Sequence, residues 1–209
     1  QVSSAASDVY KRQVKKCLFE LINYKHEVSV KCRLGLGMNE DKNYIFSYLN
    51  LFKDIGIKKV FIHCRNGVLN LDTKKNRTIP QINYELFLEC SKKFPEMELI
   101  PNGEVNDLET FNSFKSKNIN KYMIGRQFAK DALFLEKLKL EKINDKTSLV
   151  LDSIKELDNY KYLNINLLKK SLFTLINNIS NSKGIKKDIS IIDNTKDLLN
   201  YIERKIIWT

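Results

Sequence analysis

Four polar residues stand at the ends of short apolar runs and carry most of what this sequence offers for chemistry. Lys31 follows Val28-Ser29-Val30, His63 follows Val60-Phe61-Ile62, Asn102 follows Leu99-Ile100-Pro101, and Arg126 follows Met123-Ile124-Gly125. A lysine so placed can hold negative charge on a bound group, although a lysine leaving a sheet for solvent reads the same way. His63 reads equally as a hydrogen-bonded structural histidine. Asn102-Gly103 is more pointed, because a glycine just past a strand lets the backbone approach a ligand closely with its amides turned to an anion. A plain turn is the other reading. Gly125-Arg126 repeats the arrangement, with an arginine able to clamp a phosphate. Singly these are weak signals; in sequence, on four successive runs, they are much harder to obtain by chance.

Residues 64–81 add a second kind of signal. This segment is too long for an ordinary connection between a strand and a helix, and it carries Arg65, Lys74, Lys75 and Arg77 before Pro80. Cys17, Cys32, Cys64 and Cys90 are scattered, with no C-x-x-C pair and no metal-ligand spacing. They fit a reducing, intracellular compartment, and the cytoplasm is the expected location, although an organellar presequence would lie upstream.

The elements that must position these residues follow from periodicity. The runs Val28–Lys31, Lys59–His63, Glu98–Asn102 and Lys121–Arg126 are rich in β-branched residues and alternate with amphipathic helical patterns, the signature of parallel βα units. In a parallel sheet all strands point one way, so their C-terminal residues gather on one face, where such proteins place their chemistry. The intervening helices are expected around Tyr44–Phe52 with Gly56 as the stop, from Asn83 to Phe94 with Pro95 as the stop, and from Asn106, capped with an acidic residue three positions on. After about Lys142 the strand signal ends and three helical patterns follow, near Lys146–Leu157, Asn164–Ile179 and Asp193–Arg204.

The expected organisation is therefore residues 14–141 as four βα units, half of a (β/α)8 barrel, followed by a small all-α domain at 142–209. Residues 1–13, which lack helical periodicity and a signal-peptide core, read like translated adapter sequence and are set apart. A complete four-stranded doubly wound sheet is the competing architecture. An isolated half-barrel exposes strand edges and is expected to fold poorly or to dimerise.

Composition sets the outer bounds. The 209 residues are 43% hydrophobic, enough for a true core, and no apolar run approaches the roughly 18 residues that cross a bilayer. Lys and Arg number 36 against 25 Asp and Glu, a net charge of +11 spread over both halves. Such a surface suits a polyanion, and a Lys-rich composition bias produces it too.

Taken in order, the motifs Val-Ser-Val-Lys31-Cys-Arg-Leu-Gly, Phe-Ile-His63-Cys-Arg, Lys74-Lys-Asn76-Arg77-Thr-Ile-Pro80, Pro-Asn102-Gly103-Glu-Val and Met-Ile-Gly125-Arg126 resemble the tRNA-dihydrouridine synthases, most closely their A-type bacterial branch. The resemblance covers about Val28 to Leu135, corresponding to the C-terminal half of a family member. It implies a flavin mononucleotide (FMN) site at Lys31, His63, Asn102, Gly103, Glu104, Gly125 and Arg126, with Lys31 facing the negative charge that builds on the reduced flavin. A-type relatives usually carry a second glycine where this chain has Glu104, so a backbone contact is expected there. Arg77 and Lys74 are the implied tRNA contacts, and the helical C-terminal segment the second grip on tRNA.

The implied reaction is reduction of a D-loop uridine to 5,6-dihydrouridine with NADPH as reductant. The family's general-acid cysteine follows an Asn-x-Gly motif absent here, so no catalytic residue is assigned to this chain, which is expected to be inactive alone. A non-catalytic tRNA-binding module, or a flavin-dependent barrel of the dihydroorotate dehydrogenase type, are the alternatives.

Overall fold

The computed structural model describes residues 4–24, 27–38, 41–131, 134–139, 150–152, 154–156, 159, 164–176 and 179–206. The chain divides into two compact units, Gln1–Ile124 and Gly125–Thr209. The boundary expected at residue 141 or 142 lies outside the described residues.

The first unit is built on three parallel strands, β1 (Ser29–Arg33), β2 (Lys59–His63) and β3 (Glu98–Asn102), in that spatial order. Lys31 pairs with Phe61 and Phe61 with Ile100; one step of two residues further, Arg33 pairs with His63 and His63 with Asn102. Strand side chains alternate between faces, so Val30, Cys32, Val60, Ile62 and Leu99 share the face that builds the core. Helices α2 (Lys42–Asp54) and α3 (Tyr84–Lys93) contribute Ile45, Leu49, Phe52, Leu86, Phe87 and Cys90 to the same core. Lys31, Arg33, Phe61, His63, Ile100 and Asn102 fall on the opposite face.

The helix boundaries have local causes. Asp41 caps α2 by accepting from the Asn43 amide, and Gly56 leaves the helix at φ 85°, a left-handed conformation that suits glycine. Asn83 caps α3 by accepting from the Leu86 amide. The next helix, α4 (Leu108–Lys115), is capped by Asp107 rather than by Asn106, its carboxylate accepting from the Thr110 amide.

Three sequence expectations need correction in this unit. Residues 4–13 are helical: α1 runs from Ser4 to Asn23, because Val14, Leu18 and Ile22 form a stripe that docks on the core and a nucleated helix propagates cheaply. Lys31 is not a strand end, since β1 continues to Arg33. The run Lys121–Arg126 forms no full strand; only Met123 bridges to Asn102. The Met123 amide donates to the Pro101 carbonyl at 2.9 Å, but Pro101 has no amide to donate in return. Beyond Asn102 the chain turns away at Gly103, φ 121°, and the Asn102 side chain takes the Met123 carbonyl at 2.7 Å.

The regular elements among the described residues of the second unit are all helical: α5 (Arg126–Lys130), α6 (Phe134–Lys139), helical turns at 150–152 and 154–156, α7 (Ile165–Leu175), α8 (Ser182–Ser190) and α9 (Thr195–Lys205). Its core gathers Val150, Ile154, Leu168, Leu172, Ile176, Ile185, Ile189, Leu198, Ile202 and Ile206. Much of the pattern expected at Lys146–Leu157 lies outside the described residues. Helix α8 was not expected, because Gly184 and a mostly polar run conceal it; two isoleucines one turn apart, Ile185 and Ile189, suffice to dock it.

Candidate functional site

Lys31, in the middle of β1, and His63, the last residue of β2, converge on the side chain of Asn102, the last residue of β3. The Asn102 amide oxygen accepts from the Lys31 ammonium at 2.7 Å and meets His63 Nδ1 at 2.9 Å, while its nitrogen donates to the Met123 carbonyl. That last bond fixes which way the amide faces. Because the oxygen can only accept, His63 must carry its proton on Nδ1, leaving Nε2 as a bare acceptor. His63 Nε2 is buried without a hydrogen-bond partner.

The electrostatics keep that imidazole neutral. Burial holds the His63 pKa below 6.5, and the charges of Arg33, Lys31 and Arg65 act the same way, against the stabilising contact with Asn102. Burial likewise holds the Lys31 ammonium below its usual value, as does neighbouring Arg33. A neutral acceptor beside two or three fixed cations is a site for a ligand that brings both a donor and negative charge.

Gly103 lets the chain pass close beneath His63. A Cβ added there would lie 3.0 Å from Ile82 Cδ1 and 3.6 Å from His63 Nε2. Tyr84, the first residue of α3, fastens the turn by donating to the Gly103 carbonyl at 2.7 Å. Glu104 follows in a left-handed conformation, φ 49°, with its carboxylate turned to the Arg65 guanidinium.

Residues 64–83 form a braced loop beside this cluster. It is zipped to the segment after β1 by the Gly37 amide donating to the Gly67 carbonyl and the Gly67 amide to the Gly35 carbonyl, both at 2.8 Å. Asn76 holds the loop together internally, accepting from the Val68 amide and donating to the Val68 and Leu71 carbonyls. Arg33 donates to the carbonyls of Asn66 and Asn76. A cleft of about 330 Å³ opens here between Arg33, Val68, Leu71, Asn76 and Arg77. Burial and the charges of Arg65 and Arg77 hold Arg33 below its ordinary pKa. Lys74 and Arg77 are exposed, next to or within the single 3-10 turn Lys75–Arg77, and among the described residues neither side chain has a partner.

Of the expected site residues, Lys31, His63, Asn102, Gly103 and Glu104 thus lie in the first unit, and the first three share one hydrogen-bond cluster. Gly125 and Arg126 belong to the second unit, where Gly125 caps α5 and Arg126 is its exposed first residue. Arg33 and Tyr84 were not singled out from the sequence, and Arg65 was named only as one of several cations of the long loop. For Arg33 a signal existed: it is two residues from Lys31 and so on the same face. Burial pushes the Cys32, Cys64 and Cys90 thiols up to about 12, and all four cysteines are free. Among the described residues no group of three or more His, Cys, Asp or Glu side chains could hold a metal, and no helix is long and apolar enough to cross a membrane.

Comparison with known proteins converges on one family. The sequence is 27% identical over 101 residues to the tRNA-dihydrouridine(20/20a) synthase of Pseudomonas aeruginosa, a stretch covering 48% of this chain and 30% of that protein. The protein of that name from Pseudomonas syringae pv. tomato is 29% identical over 101 residues, again 48% and 30% of the two chains. For the one from Yersinia pestis the values are 27% over 133 residues, 63% of this chain and 38% of the relative. The chain therefore spans about a third of the length of these curated relatives. The sequence model of the family described as dihydrouridine synthase (Dus) matches residues 10–204, nearly the whole chain, and the chain belongs to that family.

Proposed function

We propose that this chain is the flavin-binding and tRNA-facing portion of an FMN-dependent tRNA-dihydrouridine synthase of the A-type branch. Its three strands and the bridged Met123 segment correspond, in this reading, to the C-terminal half of a (β/α)8 barrel, and the helical unit is the second tRNA grip. The observation that carries the reading is the Lys31–Asn102–His63 cluster, built from the middle of β1 and the C-terminal ends of β2 and β3 and followed by the Gly103 turn.

The residues present fit the cofactor. The orphaned His63 Nε2 offers an acceptor, glycine at 103 lets the backbone pass close beside it, and Lys31 supplies a cation. Lys31, His63, Asn102 and the Gly103-Glu104 backbone would hold the flavin, with Gly125 and Arg126 as phosphate contacts. A flavin held there would supply hydride chemistry, with NADPH as the reductant and the C5=C6 bond of uracil as the acceptor.

The protein's part is positional and electrostatic. Lys31 offsets negative charge, Asn102 orients both Lys31 and His63, and Arg77 with Lys74 grips the polynucleotide so that an extruded uridine can enter. The proton for uracil C5 does not come from Cys32, Cys64 or Cys90 in this reading, since none follows an Asn-x-Gly motif and burial makes all three weak proton donors.

A chimera tests the proposal. Replacing the matched stretch of the Pseudomonas aeruginosa relative by residues of this chain should give a yellow protein that forms dihydrouridine on unmodified tRNA with NADPH. A folded, flavin-loaded chimera that leaves every uridine unreduced would contradict it.

A further inference from the structure

Arg65 is a charged residue that the site as described leaves without a task. It is only 3% exposed, yet it follows His63 by two positions and lies where three chain segments meet. Its backbone carbonyl accepts from the Leu34 amide after β1. Its guanidinium donates to the Pro80 carbonyl, at the far end of the 64–83 loop, and pairs with the Glu104 carboxylate immediately after Gly103. A buried guanidinium left without its anion would be strongly unfavourable, so Glu104 is what allows Arg65 to sit there. Glu104 itself occupies a left-handed conformation that non-glycine residues rarely adopt, which points to a side chain held in place by its partner.

We infer that Glu104 is a positioning residue: through Arg65 it latches the Pro80 end of the loop to the β3 turn, and so fixes exposed Arg77 at a set distance from the Lys31–Asn102–His63 cluster. Arg33 secures the same loop only as far as the Asn66 and Asn76 carbonyls, so the stretch after Asn76, which begins with Arg77 and ends at Pro80, relies on the latch at its far end. The consequence drawn for Arg77 rests on the tRNA reading given above, while the latch itself does not.

Two measurements on the full chain test it. Glu104→Gln keeps the size of the side chain and removes its charge, and its fold is checked by circular dichroism. Amide hydrogen exchange in residues 76–83 should then speed by about tenfold or more, with residues 98–102 unchanged. Binding of an unmodified tRNA transcript should weaken, and Arg77→Ala added to Glu104→Gln should cost less than Arg77→Ala alone, because a displaced arginine has little left to lose. A carboxylate that merely stabilised the fold would give additive losses. Unchanged exchange in residues 76–83 overturns the latch, and strictly additive tRNA losses overturn its link to Arg77. If the unaltered chain binds no tRNA, the functional reading fails, and the exchange result alone decides the latch.

Discussion

At the scale of single residues, Asn102 sets the behaviour of its neighbours, and two outcomes follow. His63 is held below 6.5 when folded, whereas the unfolded chain protonates near that value. Below pH 6.5 the unfolded state therefore binds more protons, so stability falls as the pH drops from 6.5 and this contribution is flat above it. Urea midpoints measured at about pH 5 and about pH 7 should fall further for the natural chain than for His63→Gln; equal falls would place the proton elsewhere. Gly103→Val adds a β-branched side chain at φ 121° and 3.0 Å from Ile82 Cδ1. It should cost about 2 kcal/mol or more of unfolding free energy, measured by denaturant titration. Lys31, His63, Asn102 and Gly103 were legible because each interrupts an apolar run with a residue of distinct chemistry. The burial of Arg65, named only as one loop cation among several, and the role of Tyr84 were not, since a buried arginine and a tyrosine opening a helix have no local pattern that separates them from solvated ones.

Elements come next, and there the sequence spoke through periodicity. Three strands and the helices between them follow from alternation, caps and the Gly56 and Pro95 stops. The fourth run failed as a strand for a reason that also lies in the sequence, the missing amide of Pro101 and the turn at Gly103, but those are properties of its neighbour. Helix α8 was hidden because its stability comes from two docked isoleucines rather than from helix propensity. The Asp107 cap gives a direct check on element boundaries. Asp107→Ala should lower stability by about 1 kcal/mol, whereas Asn106→Ala should leave it nearly unchanged. Denaturation midpoints of the two variants decide between them. For the 64–83 loop, Asn76→Ala removes three hydrogen bonds to Val68 and Leu71, and limited proteolysis should then cut within residues 66–80 at a protease dose the natural chain survives.

For the whole molecule, charge and site make separate claims. A net charge of +11 distributed over both units predicts tRNA binding whose affinity falls steeply and log-linearly with salt. A flat salt profile in filter binding would remove the polyanion from the reading. Charge by itself cannot distinguish an enzyme portion from a passive binding module, because neither needs the Lys31–Asn102–His63 cluster for electrostatics. The cluster makes that distinction, and FMN is its probe. Titrating the purified chain into FMN and following the quenching of flavin fluorescence should give saturable binding that Lys31→Ala weakens by about tenfold, equivalent to about 1.4 kcal/mol. A chain that is folded by circular dichroism and quenches no flavin fluorescence, or a Lys31→Ala variant that binds as tightly as the natural chain, would contradict a flavin site at this cluster.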